Sequence, residues 1–169
     1  MRIIKDFINK FFKNSSDDQP WLSYYNKEDN TIKITDKCIY EYMVSCVGQD
    51  TDLIALNYFG YRMSYGEMFD KIDNAAKAFR SIGVKEGDVV TICLPNTPEA
   101  LICFYAINKI GAVADMIHPL SGGTEIKYYL QESKSRVLVL VDFAYEKVQD
   151  HLDDTLVHKT IMVSPKDSM

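Results

Sequence analysis

Apolar positions along this chain follow two alternating rhythms. Short, nearly unbroken apolar runs occupy residues 89–94, 112–117, 137–141 and 160–163. Between them lie longer segments in which apolar residues recur every three or four positions. Runs of the first kind suit strands covered on both faces, as in a parallel sheet, and the second kind suit helices with one buried stripe. The spacing predicts a helix over 66–81 with Phe69, Ile72, Ala76 and Phe79 inward. It predicts another over 97–109, with Leu101, Phe104 and Asn108 on a shared stripe and Ala100 and Ile107 alongside. A third covers 124–133 with Ile126, Tyr129 and Leu130 inward, and 143–152 is also helical in pattern. Upstream, 39–47 predicts a helix, while 53–59 and 62–65 flank Gly60 as a small hairpin. The expected fold is α/β, with three layers and a mostly parallel sheet flanked by helices.

Punctuation between the runs supports those boundaries. Gly83 suits the left-handed turn that closes a helix, Gly87-Asp88 turns the chain, and Pro95 stops the run that follows. Asn96 or Thr97 then caps a new helix, with Pro98 at its first position and Glu99 near the positive end of its dipole.

Composition narrows the class of function. The chain has 169 residues, 47% hydrophobic and 25% charged, enough for one sizeable core. A net charge of −5 argues against a nucleic-acid partner, since binding phosphates needs a basic face. Cys38, Cys46, Cys93 and Cys103 form no C-x-x-C pair; Cys93 and Cys103 fall in apolar segments, as small hydrophobes of a reducing, cytoplasmic compartment do. No apolar run approaches the length of a transmembrane segment. Residues 1–13 place Ile3, Ile4, Phe7, Ile8, Phe11 and Phe12 on one helical face, which either docks on the protein or makes peripheral membrane contact. Residues 14–20 then read as a linker, giving expected units of 1–20 and 21–169.

Four ordered pieces also carry a family resemblance. They are MSYGEM at 63–68, the alanine-paired helix and its Gly-Val-x-x-Gly-Asp exit at 75–87, GVKEGDVVTICLPNTPE at 83–99 and AINKIGAVADMIHPLS at 106–121. Together they resemble the amino-terminal region of the adenylate-forming, AMP-binding superfamily, and acyl-CoA synthetases most of all, from about 53 to 163. The resemblance implies an enzyme that joins a small-molecule carboxylate to ATP, releases pyrophosphate and passes the acyl-adenylate to coenzyme A. ATP, Mg and coenzyme A are its implied cofactors. It also implies a chain that stops before the phosphate-holding loop, the ribose-gripping acid and the mobile lysine domain. On this reading the 169 residues hold no catalytic residue, bind no cofactor by themselves, and self-associate through an apolar face. An amino-acid adenylation domain loading a carrier protein is an alternative within the family.

Candidate site residues are few. His118 follows the carboxyl end of a strand, where open α/β sheets bind ligands, and is either a surface histidine or a substrate or CoA contact. Ser121, Gly122 and Gly123 precede a helix, and two readings stay open: a plain cap with Ser121 as capping residue, or a phosphate cradle. Asp115 and Met116 depart from the family pattern, which prefers an aliphatic residue and a proline there; a carboxylate in mid-strand needs a partner. His151 and His158 among Asp150, Asp153 and Asp154 resemble metal ligands superficially, but a solvated acidic turn fits their spacing better. A free-standing flavodoxin-like binding or signalling module is the alternative of another class, with Asp142 after a strand as its candidate acceptor.

Overall fold

The computed structural model describes Tyr24 and residues 35–166; the amphipathic segment 1–13, the linker 14–20 and the boundary between the two expected units lie outside the described residues. The elements below belong to one compact unit, Lys37–Met169. In chain order they are α1 (Ile39–Val47), β1 (Ile54–Tyr58), β2 (Tyr61–Ser64), α2 (Tyr65–Ser81), β3 (Val89–Cys93) and α3 (Pro98–Lys109). There follow β4 (Val113–Met116), α4 (Gly123–Ser133), β5 (Val137–Val141), α5 (Tyr145–Val148) and β6 (Lys159–Val163).

The four apolar runs form one parallel sheet in the order β4-β3-β5-β6. Every residue of β5 is buried, as a strand of pure β-formers at an interior position requires. The chain moves one way from β3 to β4 and the other way from β4 to β5 and on to β6. Right-handed crossovers therefore put α3 and α4 on opposite faces. Accordingly α2 packs on α3, and α4 packs on α5. β1 and β2 make a separate antiparallel hairpin, whose last residue starts α2.

Local chemistry sets the helix starts. Ser64 Oγ accepts from the Glu67 N–H, and Glu67 Oε2 accepts from the Ser64 N–H at 2.9 Å, a reciprocal capping box. Of the two caps offered by the sequence, Thr97 serves α3, accepting from the Ala100 N–H with Pro98 at the first position. α1 is pinned by Asn108, whose Oδ1 accepts from the Tyr40 N–H at 2.9 Å. Lys109 adds a hydrogen bond to the Tyr40 hydroxyl and an ion pair with Asp73. Burial works against the Lys109 charge, but those bonds to Asp73 and Tyr40 outweigh it and hold its pKa above the ordinary value.

Several inward positions differ from the predicted stripes. On α2, Met68, Ile72, Ala76 and Phe79 are buried, whereas Phe69 is half-buried. Phe69 instead lies edge-on to the Tyr40 ring at 6.3 Å, because α1 covers that side of the helix. On α3 the buried residues include Ala100, Ala106 and Ile107; Leu101 is exposed and Phe104 only half-buried. An apolar helix offers several stripes, and close packing on α2 selected the one with small residues. Tyr129 is half-buried, its hydroxyl reaching back to Glu125 Oε1 at 2.7 Å. The expected helix over 143–152 is broken into α5 between two 3-10 turns, Asp142–Ala144 and Gln149–His151. Only Ala144 and Val148 among those turns are buried, so little packing favours a regular helix.

Candidate functional site

β3 and β5 are neighbours whose following connections leave in opposite directions, which makes their carboxyl ends a topological switch point. An open cleft of about 510 Å³ lies there. Its walls are Leu94, Pro95 and Asn96 after β3, the turn from Met116 to Leu120 after β4, and Phe143 after β5. Pro95 and Pro119 lie two and three residues past the ends of β3 and β4 and have no N–H with which to continue a ladder. A smaller cavity of about 230 Å³ shares Asn96 and Met116 and extends beneath the hairpin residues Leu56 and Tyr58 to Leu101 of α3.

His118 lines the cleft. Its Nδ1 accepts from the Leu120 N–H at 3.2 Å, so the ring proton sits on Nε2. Ser121 and Gly122 do not line it. The α4 cap is Gly122 rather than Ser121, and no side chain accepts there. Ser121 lies one residue before the cap, and its hydroxyl bonds Glu125. Hydrogen bonds from Tyr129 first, then Ser121, hold the exposed Glu125 carboxyl below its ordinary pKa.

Gly123, the first residue of the helix, is tightly enclosed. A Cβ on Gly123 would collide with the Lys147 carbonyl oxygen and the His151 ring. Among the described residues no group of three His, Cys, Asp or Glu is placed to hold a metal ion. His151 packs on Gly123, and Asp154 pairs with Lys127 on α4, whose hydrogen bond holds the Asp154 carboxyl below its ordinary pKa.

Asp115 has its partner. Buried Thr91 donates through Oγ1 to Asp115 Oδ2 at 2.8 Å, between adjacent strands. Thr91 was legible only as a lone hydroxyl inside an apolar run. Burial pushes the Cys93 thiol up to about 11 and the Cys103 thiol up to about 12, so neither is a nucleophile near neutral pH. Asp142 accepts from the Phe143 N–H at 2.7 Å and so serves its own turn. Lys147 went unnoticed in the sequence; its ammonium donates to the Pro119 carbonyl at 2.8 Å, a contact across 28 residues that no local pattern announces.

A family model described as AMP-binding enzyme matches residues 45–169, and so takes in the hairpin, the whole sheet and the cleft. The chain belongs to the AMP-binding enzyme family. Similar curated relatives include a long-chain-fatty-acid–CoA ligase of Bacillus subtilis (strain 168), 22% identical over 150 residues. That alignment covers 88% of this chain and 27% of the relative. An acetyl-coenzyme A synthetase of Shewanella sp. (strain MR-4) is 28% identical over 169 residues, covering 92% of this chain and 25% of the synthetase. The chain thus spans about a quarter of the length of these AMP-binding relatives. In three dimensions it is similar to the crystal structure of a long-chain-fatty-acid-CoA ligase (FadD1) from Archaeoglobus fulgidus, with a TM-score of 0.72 and 19% identity. That superposition covers 81% of this chain and 30% of the ligase, and it establishes the shared fold. Among the described residues no helix is long and apolar enough to cross a membrane.

Proposed function

We propose that this chain forms the first part of the large domain of an ATP-dependent, carboxylate-activating ligase. The reaction is carboxylate plus ATP to acyl-adenylate and pyrophosphate, followed by acyl transfer to coenzyme A. The observation that carries this reading is the cleft at the carboxyl ends of β3, β4 and β5, built wholly from residues within the family match. It supplies one wall of an acyl or CoA site, with His118 as the polar contact and the Ser121-Gly122 turn behind it. Stabilisation of charge on phosphorus needs preorganised donors that these residues lack, so it falls to segments beyond them. The protein works in the cytoplasm, and the 169-residue chain pairs with itself through the apolar rim that Met116, Leu120 and Phe143 leave exposed.

The test uses the intact gene product on a panel of carboxylic acids, read by pyrophosphate release. Replacing His118 by Ala should raise KM for the acid or for coenzyme A by about tenfold, the loss of one hydrogen bond, with kcat changed less. For the 169-residue chain alone, titration calorimetry should show no saturable Mg·ATP binding. Micromolar binding, or an intact protein that releases no pyrophosphate with any acid, overturns the proposal.

A further inference from the structure

We infer that Lys147 is a positioning residue that clamps the cleft turn at both ends and so fixes the orientation of His118; this rests on the ligase reading of the cleft. The turn leaves the sheet after the Ile117 N–H reaches the Ile92 carbonyl at 3.1 Å. From there two bonds are local, Leu120 N–H to His118 Nδ1 at 3.2 Å and Ser121 N–H to the His118 carbonyl at 3.1 Å, and the Cys93 thiol adds a weak bond to the same carbonyl at 3.9 Å, which leaves the apex itself untied. Pro119 has no N–H, so its carbonyl is the polar handle at the apex. The Lys147 ammonium takes that carbonyl at 2.8 Å, a charge-assisted bond between a partly buried side chain and a strand-end turn.

The other end of the turn meets the same residue. The Lys147 backbone carbonyl lies against Gly123, the first residue of α4, in space that only a glycine leaves open. One residue of α5 therefore holds the apex by its side chain and the exit by its main chain. The Lys147 charge also opposes the effect of burial on the Cys93 thiol at the end of β3. With the apex held, Leu120 stays within reach of Nδ1 and the His118 proton stays on Nε2. Without it, the apex is free to swing, the Leu120 bond opens, and both tautomers of the ring become accessible.

The experiment compares the 169-residue chain with Lys147→Met and Lys147→Arg by amide hydrogen exchange and by the imidazole nitrogen shifts of His118. Methionine keeps the length of the side chain and removes the donor; arginine keeps a charged donor. In Lys147→Met the Leu120 and Ser121 amides should exchange about tenfold faster, while amides of Val137–Val141 keep their rates. The His118 shifts should move from the Nε2-protonated pattern toward a tautomer mixture, and Lys147→Arg should restore both readouts. Unchanged loop exchange, or equal acceleration in β5, overturns the assignment. Wild-type Leu120 and Ser121 amides exchanging as open coil would overturn it without any variant. In the intact gene product Lys147→Met should raise KM with kcat largely kept. Absence of ligase activity there would overturn the functional reading and leave the loop measurements to decide the clamp.

Discussion

The two ends of the parallel sheet are built by different means. At the amino end the backbone laces the strands together. Gly87 N–H reaches the Gly111 carbonyl at 2.9 Å, Val113 N–H the Asp88 carbonyl at 2.9 Å, and Arg136 N–H the Val89 carbonyl at 3.0 Å. Asp88 closes the turn by accepting from the Lys85 N–H at 2.9 Å. Gly111, with φ +77°, takes a left-handed conformation that keeps Glu86 in contact. At the carboxyl end two prolines follow the strands, and the turns stand apart around a cleft. Met116, Leu120 and Phe143 are there 54%, 72% and 61% exposed. Closure is achieved by backbone bonds at one end; at the other, an opening is held by side chains from distant elements. Stability should therefore concentrate beneath the amino end, and function at the carboxyl end.

The largest expected effect tests the amino end. Phe79 ends the buried stripe of α2, is 3% exposed, and its carbonyl accepts from the Val84 N–H just before the first turn. Phe79→Ala should cost about 3–5 kcal/mol, because the turns around it leave little room for collapse. Chemical denaturation with an unchanged m-value would measure it. A loss below about 1 kcal/mol would break the contrast between the two ends.

Next comes a tight contact of the carboxyl half. Gly123→Ala puts a methyl group into the Lys147 carbonyl and the His151 ring, and the nearer of these is backbone that cannot rotate away. Overpacking of this kind should cost about 1–3 kcal/mol. The same denaturation experiment decides it, and a neutral outcome would show that α4 and α5 separate freely.

These contrasts also explain what could be read in the sequence. The amino end is written locally: Gly83, Gly87-Asp88 and Gly111 lie within a few residues of the strands they serve, and each turn type demands its own residue. The four runs followed, and so did their helices apart from the broken segment 143–152, because a period of two or 3.6 needs only neighbours along the chain. The choice of buried stripe did not follow. Met68 replaced Phe69, and Ala106 outranked Leu101, because α1 and α2 decide which faces are covered. At the cleft, His118 was legible from its place after a strand. The bond from Lys147 to Pro119 and the bond from Thr91 to Asp115 were not, since each joins residues brought together only by the topology.

The smallest expected effect sharpens the comparison most. Phe143 sits on the cleft rim, mostly exposed, just past the fully buried β5. If the carboxyl end is maintained for binding, this large aromatic contributes little to folding. Its backbone N–H bond to Asp142 survives any side-chain change, so the turn itself should persist. Phe143→Ala should therefore change stability by no more than about 0.5 kcal/mol, the range of surface substitutions away from special features. In a thermal melt that is a shift of about 2 °C or less. The same substitution removes most of the apolar wall that β5 offers to a ligand, so acyl or CoA affinity in the intact gene product should fall while the melt stays put. A variant that instead loses stability on the scale of Phe79→Ala would mean that the rim is packed as tightly as the amino end, and the division of labour between the two ends would not hold.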